Sequence, residues 1–484
     1  MRLRILATND FLGSLAPHPT SYGRLPGGHA LQQTVARLRE GQPTIWADAG
    51  DFSQGGPLST ASGGVHNFTA AGQLGIDVAT VGNHEFDWGL AHLAEHRHYL
   101  PFPLICANLD IGLAPTALLD TPAGPVGFVG LTHPQLSAFT PFTPPPPPSS
   151  AGGAPAHSAD TTPIVPERAD LAKLVPEHAE RLRAQGAVAV VVLIHFGVNW
   201  SVAPDGSHQP DPTPVLDLCS PFQHAVDAIV LGHTLGRWAG VVDGVPYAQP
   251  WAFGAELGVI DLDLPSGNHS VELATVDGEP RRWEGAGHSA IDQARETVVG
   301  RLDTPLRIDF ANDISLAHFA AAALRAATHA DGAVVPVVGM HQPAIEGVMY
   351  EWPAGAVSEA DLSRFWPWTE DRSLIAEVSA AELETILTFT APEPWLAWGT
   401  SIAPHLAGAT TAADATATTA GPGPGPSASA TTAGPGPSAS RTLAVPRDYV
   451  DWATVQIAQL LGRELSWQAL EVRLRDALRT ALRG

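Results

Sequence analysis

The 484-residue sequence predicts an α/β protein that carries a second, smaller α+β domain toward its C-terminus. Two observations predict this class. Short apolar runs alternate with helical spacings through residues 1–265, the pattern of a sheet flanked by helices. Helix-like and strand-like spacings then resume around 300–403. A chain of this length also exceeds what one hydrophobic core organises, so more than one domain is expected.

The first strand is "RLRILAT" (2–8), which runs into Asn9 and Asp10. "TIWADAG" (44–50) follows and ends at Asp51, and "DVATVG" (77–82) ends at Asn83 and His84. "AVAVVVLI" (187–194) ends at His195, and "AVDAIVLG" (225–232) ends at His233. Beyond these strands, "SLAHFAAAALRAATHA" (315–330) has helical apolar spacing, and "SAAELETILTF" (379–389) is a helix capped at Ser379. The tail "SWQALEVRLRDALRTALR" (466–483) reads as a further amphipathic helix.

Two segments cannot build a core. "TPFTPPPPPSSAGGAP" (140–155) reads as an extended surface insertion, and the Gly/Pro/Ala repeat within 407–440 as an insertion or linker. The resulting boundaries are a first domain over 1–270, a linker over 271–300 and a second domain over 301–484.

The net charge of −23 argues against binding of nucleic-acid polymers or anionic membranes, which demand basic surfaces. Cys106 and Cys219 are the only cysteines, too few for a disulfide framework or a thiolate metal centre. No apolar stretch approaches the ~18 residues of a membrane span, and "MRLRILATND" is too short in apolar length for a signal peptide. The expectation is a cytoplasmic protein, or an exported one if the start codon is misassigned.

Asp10, Asp51, Asn83, His195 and His233 thus lie where buried strands surface. In α/β sheets the carboxyl ends of strands are where ligands bind. Carboxylate, amide oxygen and imidazole are what a divalent cation accepts, and Mn, Zn, Fe, Co and Ni all tolerate this set. One such residue could be an ordinary cap, as Asn83 could be for a following helix. Five together point to a metal centre.

"TNDFLG", "DAGDFSQGGPLST", "GNHEFDWG", "VVVLIHFG" and "VLGHTL", in this order, closely resemble the 5′-nucleotidase family of calcineurin-like metallophosphoesterases. "PAGAVSEADLSRFWPW" (353–368) extends the resemblance more weakly into that family's C-terminal domain. The resemblance implies a two-sheet sandwich over the first domain and a site for two adjacent divalent metals. It implies that Asp51 bridges both ions and that Asn83, His195 and His233 complete the second. It also implies that His84 contacts the phosphate or protonates the leaving group, with Asp87 holding its other ring nitrogen. Glu85 and Phe86 read as structural.

The sequence departs from the family where the first ion belongs. The family's Asp-x-His is Asp10-Phe11-Leu12, and its Gly-His-x-His is Gly232-His233-Thr234-Leu235. Both missing imidazoles serve, in the family, the same ion, so one retained metal site is expected rather than two. Substitution by His18, Arg24, His29 or Arg237 is not expected. Asp10 and Asp51 would then face each other, and one carboxyl should take up a proton. The family's Gly-Gly-x-Arg stretch falls at "VVGMHQP" (337–343), without Arg, and its late base-stacking loop is absent. Trp366, Trp368, Trp395, Trp398 and Trp452 could stack a base, although such residues are more often core. The expected function is metal-dependent hydrolysis of small-molecule phosphate esters, nucleotides foremost. The alternative is a weak or inactive relative that binds a metal or a phosphorylated ligand.

Overall fold

The computed structural model describes residues 2–20, 23–53, 58–59, 62–136, 170–202, 208–234, 236–264, 266–309, 313–336, 348–366, 372–389, 398–402, 440–446 and 452–483. These fall into two compact units, Met1–Val299 with Met340–Trp368 and Gly300–Gly339 with Thr369–Gly484.

The first unit is built on two six-stranded sheets. In chain order their strands are β1 (Arg2–Thr8), β2 (Thr44–Asp48), β3 (Val78–Thr80), β4 (Leu104–Ile105), β5 (Thr116–Leu119), β6 (Val126–Leu131), β7 (Ala189–Ile194), β8 (Ala228–Leu231), β9 (Trp238–Val242), β10 (Val245–Gln249), β11 (Glu256–Asp263) and β12 (Ser270–Thr275). The first sheet runs β12-β11-β1-β2-β3-β4 and the second β9-β10-β8-β7-β6-β5. Strands β1 to β4 are mutually parallel, as are β6, β7, β8 and β10, while β5, β9, β11 and β12 pair antiparallel toward the edges.

Burial explains why the central strands are so apolar. Strand β7, Ala-Val-Val-Val-Leu-Ile, is buried at every position. Its alternate residues serve two cores, as the period of two requires. Val191 and Leu193 meet Ile5, Ala47, Val78, Val230 and Ile260 between the sheets. Val190, Val192 and Ile194 face outward onto Val175, Ala179 and Leu182 of helix Leu171–Ala184. Outside the first sheet, Leu6, Trp46 and Ala79 pack on helices Gly27–Leu38 and Val65–Leu74. The layers are therefore helix, sheet, sheet, helix: the two-sheet sandwich.

Three expectations are corrected. Of residues 271–300, read as a linker, 271–299 continue the first unit: β12 extends to Thr275, and Trp283 and Ile291 join the core outside the first sheet. The segment 353–368, read with the C-terminal domain, clusters with the first unit as well. In the tail, only Leu474–Ala481 is helical. Gln468 and Ala469 instead pair antiparallel with Ile375 and Leu374, so a long-range ladder overrides the local helical pattern.

The second unit is a mixed sheet with helices. Strands β13 (Gly332–Pro336), β14 (Leu374–Ser379), β15 (Trp398–Ile402), β16 (Ser440–Val445) and β17 (Gln468–Ala469) are ordered β15-β13-β16-β14-β17. Helix Ala380–Leu387 opens with the expected cap, a reciprocal box between Ser379 and Glu382. Residues 140–155 and 407–439 lie outside the described residues, and Ser440 opens β16. No helix among the described residues is long and apolar enough to cross a membrane.

Candidate metal centre

Asp10, Asp51 and Asn83 follow β1, β2 and β3 of the first sheet, while His195 and His233 follow β7 and β8 of the second. The two sets meet across the sandwich. Asp51 Oδ2 lies 2.9 Å from His195 Nε2. Asn83 Oδ1 lies 3.2 Å from His195 Nε2 and 2.9 Å from His233 Nδ1. Ligand atoms of Asp51, His195 and His233 all fall within 4.8 Å of one another. Asn83 does stand at the N-cap position of the single turn His84–Phe86, but its side chain makes no capping bond.

Unusual backbone aims these groups. Asp10, Asp51 and His233 have φ of 47°, 59° and 81°, a left-handed conformation that costs a non-glycine residue about 1–2 kcal/mol. Surrounding bonds hold it. Asp10 N donates to Gly50 O at 2.9 Å, and Leu12 N donates to Asp51 O at 3.0 Å. His233 N donates to Asp10 Oδ2 at 2.8 Å, and Asn9 Nδ2 donates to the same oxygen at 2.7 Å.

Glu85 braces the loop from beneath. Its Oε2 accepts from Asp51 N at 2.9 Å and Gly82 N at 2.7 Å. Its Oε1 accepts from Ser53 N at 3.1 Å and Ser53 Oγ at 3.0 Å. Burial, reinforced by the charge of Asp51, pushes the Glu85 carboxyl up to about 7. The structural reading of Glu85 therefore acquires a definite partner set.

Charge at the centre is shared unequally. Burial opposes ionisation of Asp51, but His195 and His84 outweigh it and hold the carboxyl below its ordinary range. Burial raises Asp10 to about 6 against the pull of His195, and the Asp51 charge adds to the rise. Of the two carboxyls Asp10 is therefore the one that takes up a proton first as the pH falls, with burial a larger cause than the Asp51 charge. Burial opposes the His195 charge too, yet Asp51 and Asp10 raise it to about 10. Burial, with His133 and His195 nearby, drives His233 well down, so its ring is neutral.

His84 Nδ1 lies 2.9 Å from Asp87 Oδ2, and its Nε2 lies 4.0 Å from Asp51 Oδ2. His84 N donates to Asp51 Oδ1 at 2.7 Å. Burial works against the imidazolium, but Asp87 and Asp51 raise it to about 9, so it is cationic at neutral pH.

Where the first ion of the resembling family would lie, Leu12 is 2% exposed and packs with Ala252 and Phe253. Leu235 and residues 337–343 lie outside the described residues, as do Trp368 and Trp395; the side chains of His18, Arg24, Trp398 and Trp452 are not described either. Arg237 pairs with Glu256, and His29 lies 3.1 Å from Gln33. Trp366 is buried against Phe365 and belongs to the core.

Sequence reasoning missed His133. It follows β6, is 3% exposed, and its ring centroid lies 4.4 Å from that of His233. The signal was present: "VGFVGL" (126–131) is another buried run with a histidine just past its end.

Comparison with known proteins agrees with this architecture. The calcineurin-like phosphoesterase family matches residues 3–237. The 2′,3′-cyclic-nucleotide 2′-phosphodiesterase/3′-nucleotidase of Salmonella typhimurium is 27% identical over 347 residues, 62% of this chain and 49% of that protein. The trifunctional nucleotide phosphoesterase protein YfkN of Bacillus subtilis is 24% identical over 322 residues, 57% of this chain and 20% of that one. The chain therefore spans less than half the length of either relative. Among solved structures, a 5′-nucleotidase precursor from Thermus thermophilus superposes with a TM-score of 0.65 at 16% identity, covering 100% of this chain and 96% of that one. Residues 3–237 are thus similar to the calcineurin-like phosphoesterases, and the chain has a fold similar to that of a 5′-nucleotidase.

Proposed function

We propose that the protein hydrolyses phosphate esters of the nucleotide type, using one divalent cation held by Asp51, Asn83, His195 and His233. The observation that carries this reading is the spacing of the donor atoms. With bonds of about 2.1 Å, neighbouring ligands of an octahedral cation stand roughly 3 Å apart. Here the separations are 2.9 Å, 3.2 Å and 2.9 Å along the sequence Asp51 Oδ2, His195 Nε2, Asn83 Oδ1, His233 Nδ1.

The donor set also fits chemically. His195 Nδ1–H donates to Ala49 O at 2.8 Å, which turns Nε2 toward the centre once its proton leaves. Asp51 Oδ1 is held by His84 N, leaving Oδ2 for the cation. When bound, the cation supplies Lewis-acid polarisation of the phosphate and of the attacking water. His84, kept cationic by Asp87, donates from Nε2 to a phosphoryl oxygen or to the leaving group. Nucleotides are favoured as substrates because the relatives named above act on them.

The test is ion content together with turnover of p-nitrophenyl phosphate and AMP in Mn²⁺. One equivalent of ion is expected, with activity lost on chelation and restored on readdition. His84→Ala should keep the ion and lose about 10²- to 10⁴-fold in rate. A protein that binds no cation would refute the reading.

A second reading has an observation of its own. Leu12, where the resembling family carries a ligand histidine, is buried with Ala252 and Phe253, which favours a protein that binds a phosphate ester without turnover. Ion and ester bound together, with no product formed, would establish it. Leu12→His with Leu235→His should then restore hydrolysis if the lost ligands are the cause.

A further inference from the structure

Three neighbouring strands of the second sheet, β6, β7 and β8, each deliver a histidine to the same rim: His133, His195 and His233. The strand ends are tied in register, because His195 N donates to Leu131 O at 2.9 Å. Three converging imidazoles invite the reading that all three are metal ligands, and the hydrogen bonding of His133 decides against it.

His133 Nδ1 lies 3.0 Å from Gln135 N. A backbone N–H can only donate, so Nδ1 must be the acceptor and carries no proton. The ring proton therefore sits on Nε2. Both nitrogens are committed, Nδ1 by its lone pair and Nε2 by its hydrogen, so neither offers a lone pair to a cation without breaking the turn. A protonated ring would lose the same bond, so His133 is also neutral.

The His133 ring also makes aromatic contacts. Its ring lies between Phe196, at 5.2 Å between centroids, and His233, at 4.4 Å with 50° between the planes. The His233 ring also lies 5.2 Å from that of His195, at 72°. The His233 imidazole is thus in contact with two other rings, at a residue whose backbone is itself left-handed. Rotation about its side-chain bonds would carry Nδ1 away from Asn83 Oδ1 and spoil the ligand spacing.

We infer that His133 is a positioning residue, a neutral and non-ligating imidazole that fixes the ring of His233 so that Nδ1 faces the cation. The inference rests on the metal-dependent reading proposed above. A neutral ring is the suitable choice here, because an imidazolium would repel the incoming cation and a carboxylate would compete for it.

The experiment is calorimetric titration of the full chain with Mn²⁺, which needs no turnover, on the parent, His133→Ala, His133→Gln and His133→Phe. Circular dichroism reports that each variant is folded. Loss of a group that orients a metal ligand costs about 10- to 100-fold in affinity. Ala and Gln, which lack the ring, should show that loss, and Phe, which keeps the ring without its nitrogens, should recover most of it. Gln guards against misfolding in the Ala variant, since it fills more of the space and retains an acceptor for Gln135 N. Parental affinity in both folded ringless variants would overturn the inference. So would a Phe variant as weak as Ala, which would make His133 a ligand or a hydrogen-bond partner instead. An unchanged Mn²⁺ affinity with a raised KM for p-nitrophenyl phosphate would make it a substrate contact, which also overturns it. A parent that binds no Mn²⁺ defeats the metal-dependent reading itself, an outcome distinct from these.

Discussion

Glu85→Ala is the substitution with the largest consequence for its distance from the chemistry. The carboxylate accepts from Asp51 N, Gly82 N, Ser53 N and Ser53 Oγ. Each such bond contributes about 1 kcal/mol net, so the direct loss is about 4 kcal/mol. Glu85 is 1% exposed, so water does not readily replace it, and the abandoned backbone N–H groups add to the cost. At about 2–4 °C per kcal/mol, the first unit should melt on the order of 10 °C lower. Affinity for Mn²⁺ should fall as well, because the bond to Asp51 N helps hold that residue at φ 59°. Glu85→Gln keeps one acceptor oxygen and should fall between parent and Ala. Urea denaturation of chelator-treated protein gives the stability change, and calorimetry gives the affinity. A Glu85→Ala variant within about 1 kcal/mol of the parent, with Mn²⁺ affinity intact, would refute the claim that this side chain braces the loop.

His195→Ala and His233→Ala should each abolish Mn²⁺ binding while Asp10→Asn, which keeps an oxygen to accept from His233 N, alters it far less; equal losses in all three would show that a cation also sits at Asp10. In the second unit, Glu382 is held at about 2 by Arg463 and by Ser379 N. A lowered carboxyl stabilises the fold above its unfolded value of about 4.3, and that support is lost as the pH falls toward 2. Glu382→Gln should therefore flatten the acid limb of an unfolding profile, and Ser379→Ala should cost about 1 kcal/mol as a lost cap. Deleting 407–439 should leave melting temperature and ion binding unchanged. Strands β15 and β16 flank β13, roughly 10 Å apart, a gap that 403–406 can bridge. A large drop in melting temperature would show that the segment packs.

The sheets and most of the rim were legible in the sequence because the central strands are buried on both faces. A run such as Ala189–Ile194 has no polar position to confuse with a helix stripe, and a ligand-type residue just past its end stands out. The cap at Ser379 was legible for a similar reason, since Ser and Glu three apart make a local signal. The tail was not. Leu474–Ala481 is helical, but Gln468 and Ala469 answer to Leu374 and Ile375, about a hundred residues away, and no local window contains that partner. The left-handed turns at Asp10, Asp51 and His233 left no trace either, because none is a glycine and long-range bonds impose the conformation. His133 was overlooked since the resemblance led attention to the family's ligand positions, and a positioning ring is not among them.

The division of the donors between the sheets has a mechanical consequence. Carboxylate and amide come from one layer and imidazoles from the other, so a cation held as proposed would be a cross-link between the halves of the sandwich. Without it, the contacts of Asp51 and Asn83 with His195, and of Asn83 with His233, already span the same seam. The ion-free protein is stitched where the cation would stitch it. Arrival of a cation would exchange one fastening for another and would ask no closure of the layers. Hydrogen exchange should accordingly slow at the rim of both sheets together when Mn²⁺ is added, while the far edges of the sandwich keep the same rate.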